Sequence, residues 1–117
     1  MIKISVCDDD EGQLTFFKQC FMEYNEKHKE KIEANFYQSV QSLSNEKKFS
    51  PDVYFLDIEL QDGNGLKLAG KIRTRNSKIP IVFITSHEEF MPEAFQVHAY
   101  QYLNEKKNAQ AAENVLN

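Results

Sequence analysis

The sequence predicts an α/β domain: a doubly wound, five-stranded parallel sheet with helices on both faces. Two patterns carry this. Short β-branched apolar runs alternate with helical stretches along all 117 residues. Two of the runs, VYFL (53–56) and IVFIT (81–85), are apolar without alternation, as suits strands covered on both sides. Right-handed crossovers turn such a chain into a parallel sheet, whose ligands bind at the carboxyl ends of the strands near the switch in strand order.

The elements follow in order. IKISV (2–6) is the first strand. Residues 11–28 place Leu14, Phe17, Phe21 and Tyr24 on one helical face. KIEANFYQS (31–39) alternates Ile32, Ala34 and Phe36 against Glu33, Asn35 and Tyr37, a half-exposed strand. Residues 40–48 predict a short helix, broken by Ser50-Pro51. Between the third and fourth strands, residues 64–76 form an amphipathic helix with Leu66, Leu68, Ala69 and Ile72 apolar and Asn64 as its N-cap. Residues 88–98 predict a fourth helix, with Pro92 near its first turn. AYQYL (99–103) is the fifth strand. A fifth helix begins near Lys107, with Ala109, Ala112 and Leu116 on one face.

Composition narrows the function. The length suits one domain. With 41% apolar and 27% charged residues the chain has an ordinary globular balance. A net charge of −4 gives no electrostatic case for nucleic acid or an anionic membrane. No apolar run approaches the roughly 20 residues that span a bilayer, and MIKISVCDDD lacks a signal peptide's apolar region. Cys7 and Cys20 show neither CxxC nor Cys/His metal spacing, and read as reduced residues of a cytoplasmic protein.

The chemistry sits at the strand ends. Asp8, Asp9 and Asp10 follow the first strand, Asp57 the third, and Thr85 closes the fourth. On one parallel sheet all five lie on the carboxyl edge. Carboxylates converging there repel one another, and a divalent cation removes the conflict. Oxygen ligands without Cys or His favour a hard ion, and Mg²⁺ takes one or two carboxylates while keeping waters and a phosphate. Blander roles are open to single residues: Asp10 as N-cap of the first helix, Thr85-Ser86 as a cap before the fourth, Gly63 and Gly65 as turn formers. No GxxxxGK[ST] or GxGxxG phosphate loop is present.

VCDDD (6–10), YFLDIEL (54–60), NGLKLA (64–69), IVFITS (81–86) and AFQVHAYQYL (94–103) together resemble the response regulator receiver domains of two-component signalling, the CheY-like fold. The match runs over nearly the whole chain and looks most like the receivers of the LytTR, or AgrA-like, class. The resemblance implies strand order 2-1-3-4-5. It implies that Asp57 is the phosphoacceptor, taking a phosphoryl group from a sensor histidine kinase. Asp8, Asp9, Asp57 and the backbone carbonyl of Glu59 would hold Mg²⁺, with Asp8 acting through water. Thr85 and Tyr102 would be the switch pair. The fourth helix, fifth strand and fifth helix would form the output face and a possible homodimer interface. Side chains at Glu59 and His87 would tune dephosphorylation, although a solvated His87 is the plainer reading. A C-terminal LytTR-type DNA-binding domain, outside these residues, would carry the contact with DNA.

One position departs from the family. Receivers place a lysine after the fifth strand, usually followed by proline; here the aligned residue is Glu105, in YLNEKK. Either a bulge brings Lys106 to the phosphoryl group, or the lysine's role is absent. Three other functions compete with the switch. An aspartyl phosphatase expects Asp-x-Asp and a capping insertion, where this chain has Asp57-Ile58-Glu59 and none. A pseudo-receiver acting as an interaction module would agree with Glu105. A flavodoxin-like cofactor binder would need a phosphate loop.

Overall fold

The computed structural model describes residues 1–85 and 101–104. Its main sheet has five strands: β1 (Ile2–Cys7), β2 (Ile32–Tyr37), β3 (Val53–Asp57), β6 (Ile81–Thr85) and β7 (Gln101–Asn104). All pair in parallel, in the order β2-β1-β3-β6-β7. This is the 2-1-3-4-5 order implied by the resemblance. Helices α1 (Glu11–Lys27), α2 (Val40–Ser44) and α3 (Gly65–Arg75) connect the first strands. The fourth and fifth predicted helices lie outside the described residues.

Alternate residues of each central strand enter different cores. Ile4, Val6, Val53, Phe55, Val82 and Ile84 pack with Leu14, Phe17, Phe21 and Tyr24 of α1. Cys7, Leu56, Ile81 and Phe83 pack on the other face with Leu43 of α2 and Leu68 and Ala69 of α3. The continuous apolar runs therefore hide a two-residue period, one set for each face. Phe55 is a large aromatic of the first core. It is wholly buried and meets Phe17 and Phe21 edge-on, with centroids 5.6 and 6.0 Å away. Phe55→Ala should cost about 3–5 kcal/mol in urea unfolding, through lost burial and the cavity left behind.

Local chemistry sets the ends of the helices. Asp10 caps α1 by accepting the Gly12 N–H, the blander role foreseen for it. Asn64 caps α3 through the Leu66 N–H. Helix α2 is shorter than the predicted 40–48. It ends at its C-cap Asn45, and the Glu46 carboxylate then takes the N–H groups of Lys48 and Phe49, closing a turn in place of further helix. A two-residue antiparallel pair, β4 (Glu59–Leu60) with β5 (Gly63–Asn64), folds the connection after β3, where the sequence signals only a turn. A groove of about 380 Å³ between α2 and α3 opens at the opposite edge of the sheet, beside Pro51, Tyr54 and Ile79. It is remote from the acids. Among the described residues no helix is long and apolar enough to cross a membrane.

Candidate functional site

The carboxyl edge brings the predicted acids together. Asp57 is the last residue of β3, and Asp8 follows β1, its neighbour in the sheet. Asp8 and Asp57 are buried; Asp9 is half-buried. One carboxylate oxygen from each of the three lies within 4.8 Å of the others. Burial on a strand end follows from pairing: Asp57 is in register with Ile84, and Leu56 with Cys7. The backbone holds the acids in place. The Asp8 N–H donates to the Tyr37 carbonyl at 2.9 Å, and the Asp8 carboxylate accepts the Asp10 N–H at 2.9 Å. The Asp9 carboxylate accepts the Gln61 N–H at 3.1 Å, from the β4–β5 turn.

Cys7 measures the field of these acids. Its thiol is pushed up to about 12, first by burial and then by the charges of Asp8, Asp62, Asp57 and Asp9. It donates weakly to the Ser39 carbonyl at 3.4 Å. The group that converges here is three carboxylates, Asp8, Asp9 and Asp57, and oxygen donors of this kind suit a hard divalent cation. Neither Cys7 nor Cys20 forms a disulfide, in keeping with the reduced state expected from the sequence. Because folding raises the Cys7 pKa, its contribution to stability is full below the ordinary value of 9.0 and falls as pH rises toward about 12. Iodoacetamide at pH 8 should accordingly label half-buried Cys20 in the native state and reach Cys7 only through unfolding.

The turn after β3 depends on one glycine. A Cβ built on Gly65 would lie 2.0 Å from the Asp57 carbonyl oxygen and 2.9 Å from its carbonyl carbon. Gly65 also donates its N–H to the Ile58 carbonyl at 2.8 Å. The backbone entering α3 therefore crosses directly over the strand end that carries Asp57, an approach only glycine allows. Nothing in the sequence marks this role, because two glycines in a loop suggest no more than a turn. Asp62 is equally unmarked. Its carboxylate accepts the N–H groups of Val40 and Gln41, which lower its pKa.

A family model described as the response regulator receiver domain matches residues 4–116. The chain belongs to that family. An uncharacterised response regulatory protein of Yersinia pestis is 31% identical to this receiver over 103 residues, 88% of this chain and 42% of that protein. The transcriptional regulatory protein LytR of Staphylococcus aureus (strain N315) is 32% identical over 66 residues, 56% of this chain and 27% of the regulator. The receiver thus spans less than half the length of these curated relatives. A CheY-like receiver domain protein from Methanospirillum hungatei shares the fold with a TM-score of 0.85 at 18% identity, covering 99% of this chain and 90% of that one.

Within the receiver, the remaining predicted residues divide. Glu59 opens β4, paired with Asn64, and its side chain is exposed. Thr85 ends β6, the strand beside Asp57, and Tyr102 lies in β7 in register with Phe83. His87, Glu105 and Lys106 lie outside the described residues.

Proposed function

We propose that this receiver accepts a phosphoryl group on Asp57 from a sensor histidine kinase in a Mg²⁺-dependent reaction. The observation that carries the reading is the convergence of Asp8, Asp9 and Asp57 on one strand edge within 4.8 Å. In the transfer, an Asp57 carboxylate oxygen bonds to phosphorus as the N–P bond to the donor histidine breaks. The imidazole leaves with the bonding electrons and takes up a proton. The product is an acyl phosphate on a strand end braced from both neighbouring strands. Asp8, Asp9, Asp57 and the Glu59 carbonyl would hold Mg²⁺, which when bound neutralises charge on the transferring phosphoryl oxygens.

Thr85, at the end of the adjacent strand, would then hydrogen-bond the phosphoryl group, with Tyr102 following it inward. The output face would be formed by the segments expected as the fourth helix, fifth strand and fifth helix, and through it the domain would control transcription or pair with a second copy. Lys106 is the candidate partner for the phosphoryl charge. In this reading the chain is a cytoplasmic switch rather than a turnover enzyme, and the DNA contact belongs to a C-terminal LytTR-type domain. Regulators such as LytR, matched over only 27% of their length, support a longer parent protein.

The test is chemical mapping. After acetyl phosphate and Mg²⁺, hydroxylamine should convert the acyl phosphate to a hydroxamate, found by peptide mapping at Asp57. A hydroxamate at any other acid would contradict the assignment. Glu105, standing where the family places lysine, supports a second reading: a pseudo-receiver that binds partners without phosphate. No hydroxamate from a folded protein would favour it.

A further inference from the structure

We propose that Asp62 is a positioning residue that presets the metal site by locking the turn after β3 onto the start of α2. This rests on the reading of Asp8, Asp9 and Asp57 as metal ligands.

Helix α2 has its own cap. Ser39 accepts the Ser42 N–H at 3.0 Å and completes a capping box with the Ser42 hydroxyl. That leaves the first two helical N–H groups, on Val40 and Gln41, without an intrahelical acceptor. Asp62 takes both, at 2.9 and 3.0 Å, from 22 and 21 residues away in sequence. The contact continues through the next residue. Gly63 lies so close to Val40 that a Cβ there would be 2.9 Å from Val40 Cγ2.

The same turn holds a metal-site acid. Gln61, one residue before the clamp, donates its N–H to the Asp9 carboxylate. Glu59, three residues before the clamp, is fixed across β4–β5 against Asn64. Asp62 therefore anchors one side of a short hairpin whose other side aims a donor at Asp9. Its carboxylate is committed to two backbone N–H groups, so it acts on the ion through the hairpin and not as a ligand. Releasing it frees the hairpin from α2 and loosens the alignment of Gln61 and Glu59 with the acids. By the same linkage, metal binding at Asp9 reports to α2.

Calorimetric Mg²⁺ titration of wild type, Asp62→Asn and Asp62→Ala tests this, with amide NMR of Val40 and Gln41 alongside. Asp62→Ala should weaken Mg²⁺ binding about tenfold, the scale of an outer-shell partner. Asp62→Asn keeps one acceptor oxygen and should fall between. In wild type, Mg²⁺ should shift the Val40 and Gln41 amides together with those of Asp8 and Asp9. Equal losses in both variants would mean that only the charge matters, and would overturn the clamp. So would unchanged affinity in a folded Asp62→Ala, or Val40 and Gln41 amides that ignore Mg²⁺. If Asp62→Ala does not fold, Asp62→Asn and the wild-type amides decide. Wild type that binds no Mg²⁺ would overturn the metal reading and the clamp with it, an outcome distinct from a clamp failing on a working site.

Discussion

Asp57→Asn is expected to lose all phosphoryl acceptance and, in EDTA, to become more stable than wild type. The loss is direct, since an amide has no carboxylate oxygen to form the acyl phosphate. The gain comes from the crowding of charge. Three carboxylate oxygens within 4.8 Å, on two buried acids and one half-buried acid, repel one another, and removing one charge should add about 1–2 kcal/mol to the unfolding free energy. Saturating Mg²⁺ should narrow or reverse the order, because wild type gains more from the ion. Urea unfolding of both proteins, with and without Mg²⁺, measures each term. A variant less stable than wild type in EDTA would mean that Asp57 is held mainly by favourable contacts, and repulsion would not describe the edge. Stability given up for a reactive site is a common trade.

Gly65→Ala is expected to be the most damaging small substitution in the described chain. The added methyl would sit 2.0 Å from the Asp57 carbonyl oxygen, and the obstruction is backbone, which has no rotamer to move aside. The turn must open, and the Gly65 N–H bond to Ile58 opens with it. A cost of about 3 kcal/mol or more is expected, at the upper end of overpacking. Mg²⁺ affinity should fall as well, because the displaced backbone carries Asp57, a ligand in the proposed reading. Gly70 is the internal control. It lies in the same helix, and a methyl added there would meet nothing within 4 Å, so Gly70→Ala should be neutral or stabilise by about 0.5–1 kcal/mol. Equal effects at the two glycines would contradict the close-approach account.

Much of this was legible because the signals were local. The spacing of Leu14, Phe17, Phe21 and Tyr24 specified the buried face of α1, and all four are buried there. Asn64 was readable as a cap because its side chain acts on the next turn. The acids at 8, 9 and 57 were readable as one cluster because a parallel sheet brings every strand's carboxyl end to one edge. What the sequence hid was non-local or steric. Periodicity let α2 run to Lys48, but Glu46 serves the N–H groups of Lys48 and Phe49 and ends it. The clamp of Asp62 on Val40 and Gln41 spans more than twenty residues and has no spacing rule. The demand on Gly65 arises only when the chain folds back over Asp57. A glycine next to a helix cap signals a turn, but not what the turn must clear.

The most direct measurement is intact-mass spectrometry after incubation with acetyl phosphate and Mg²⁺. One added phosphoryl group in wild type, lost in EDTA and lost in Asp57→Asn, is the predicted result. An unmodified mass from a protein shown to be folded and to bind Mg²⁺ would contradict the account, and would leave the receiver's output to binding alone.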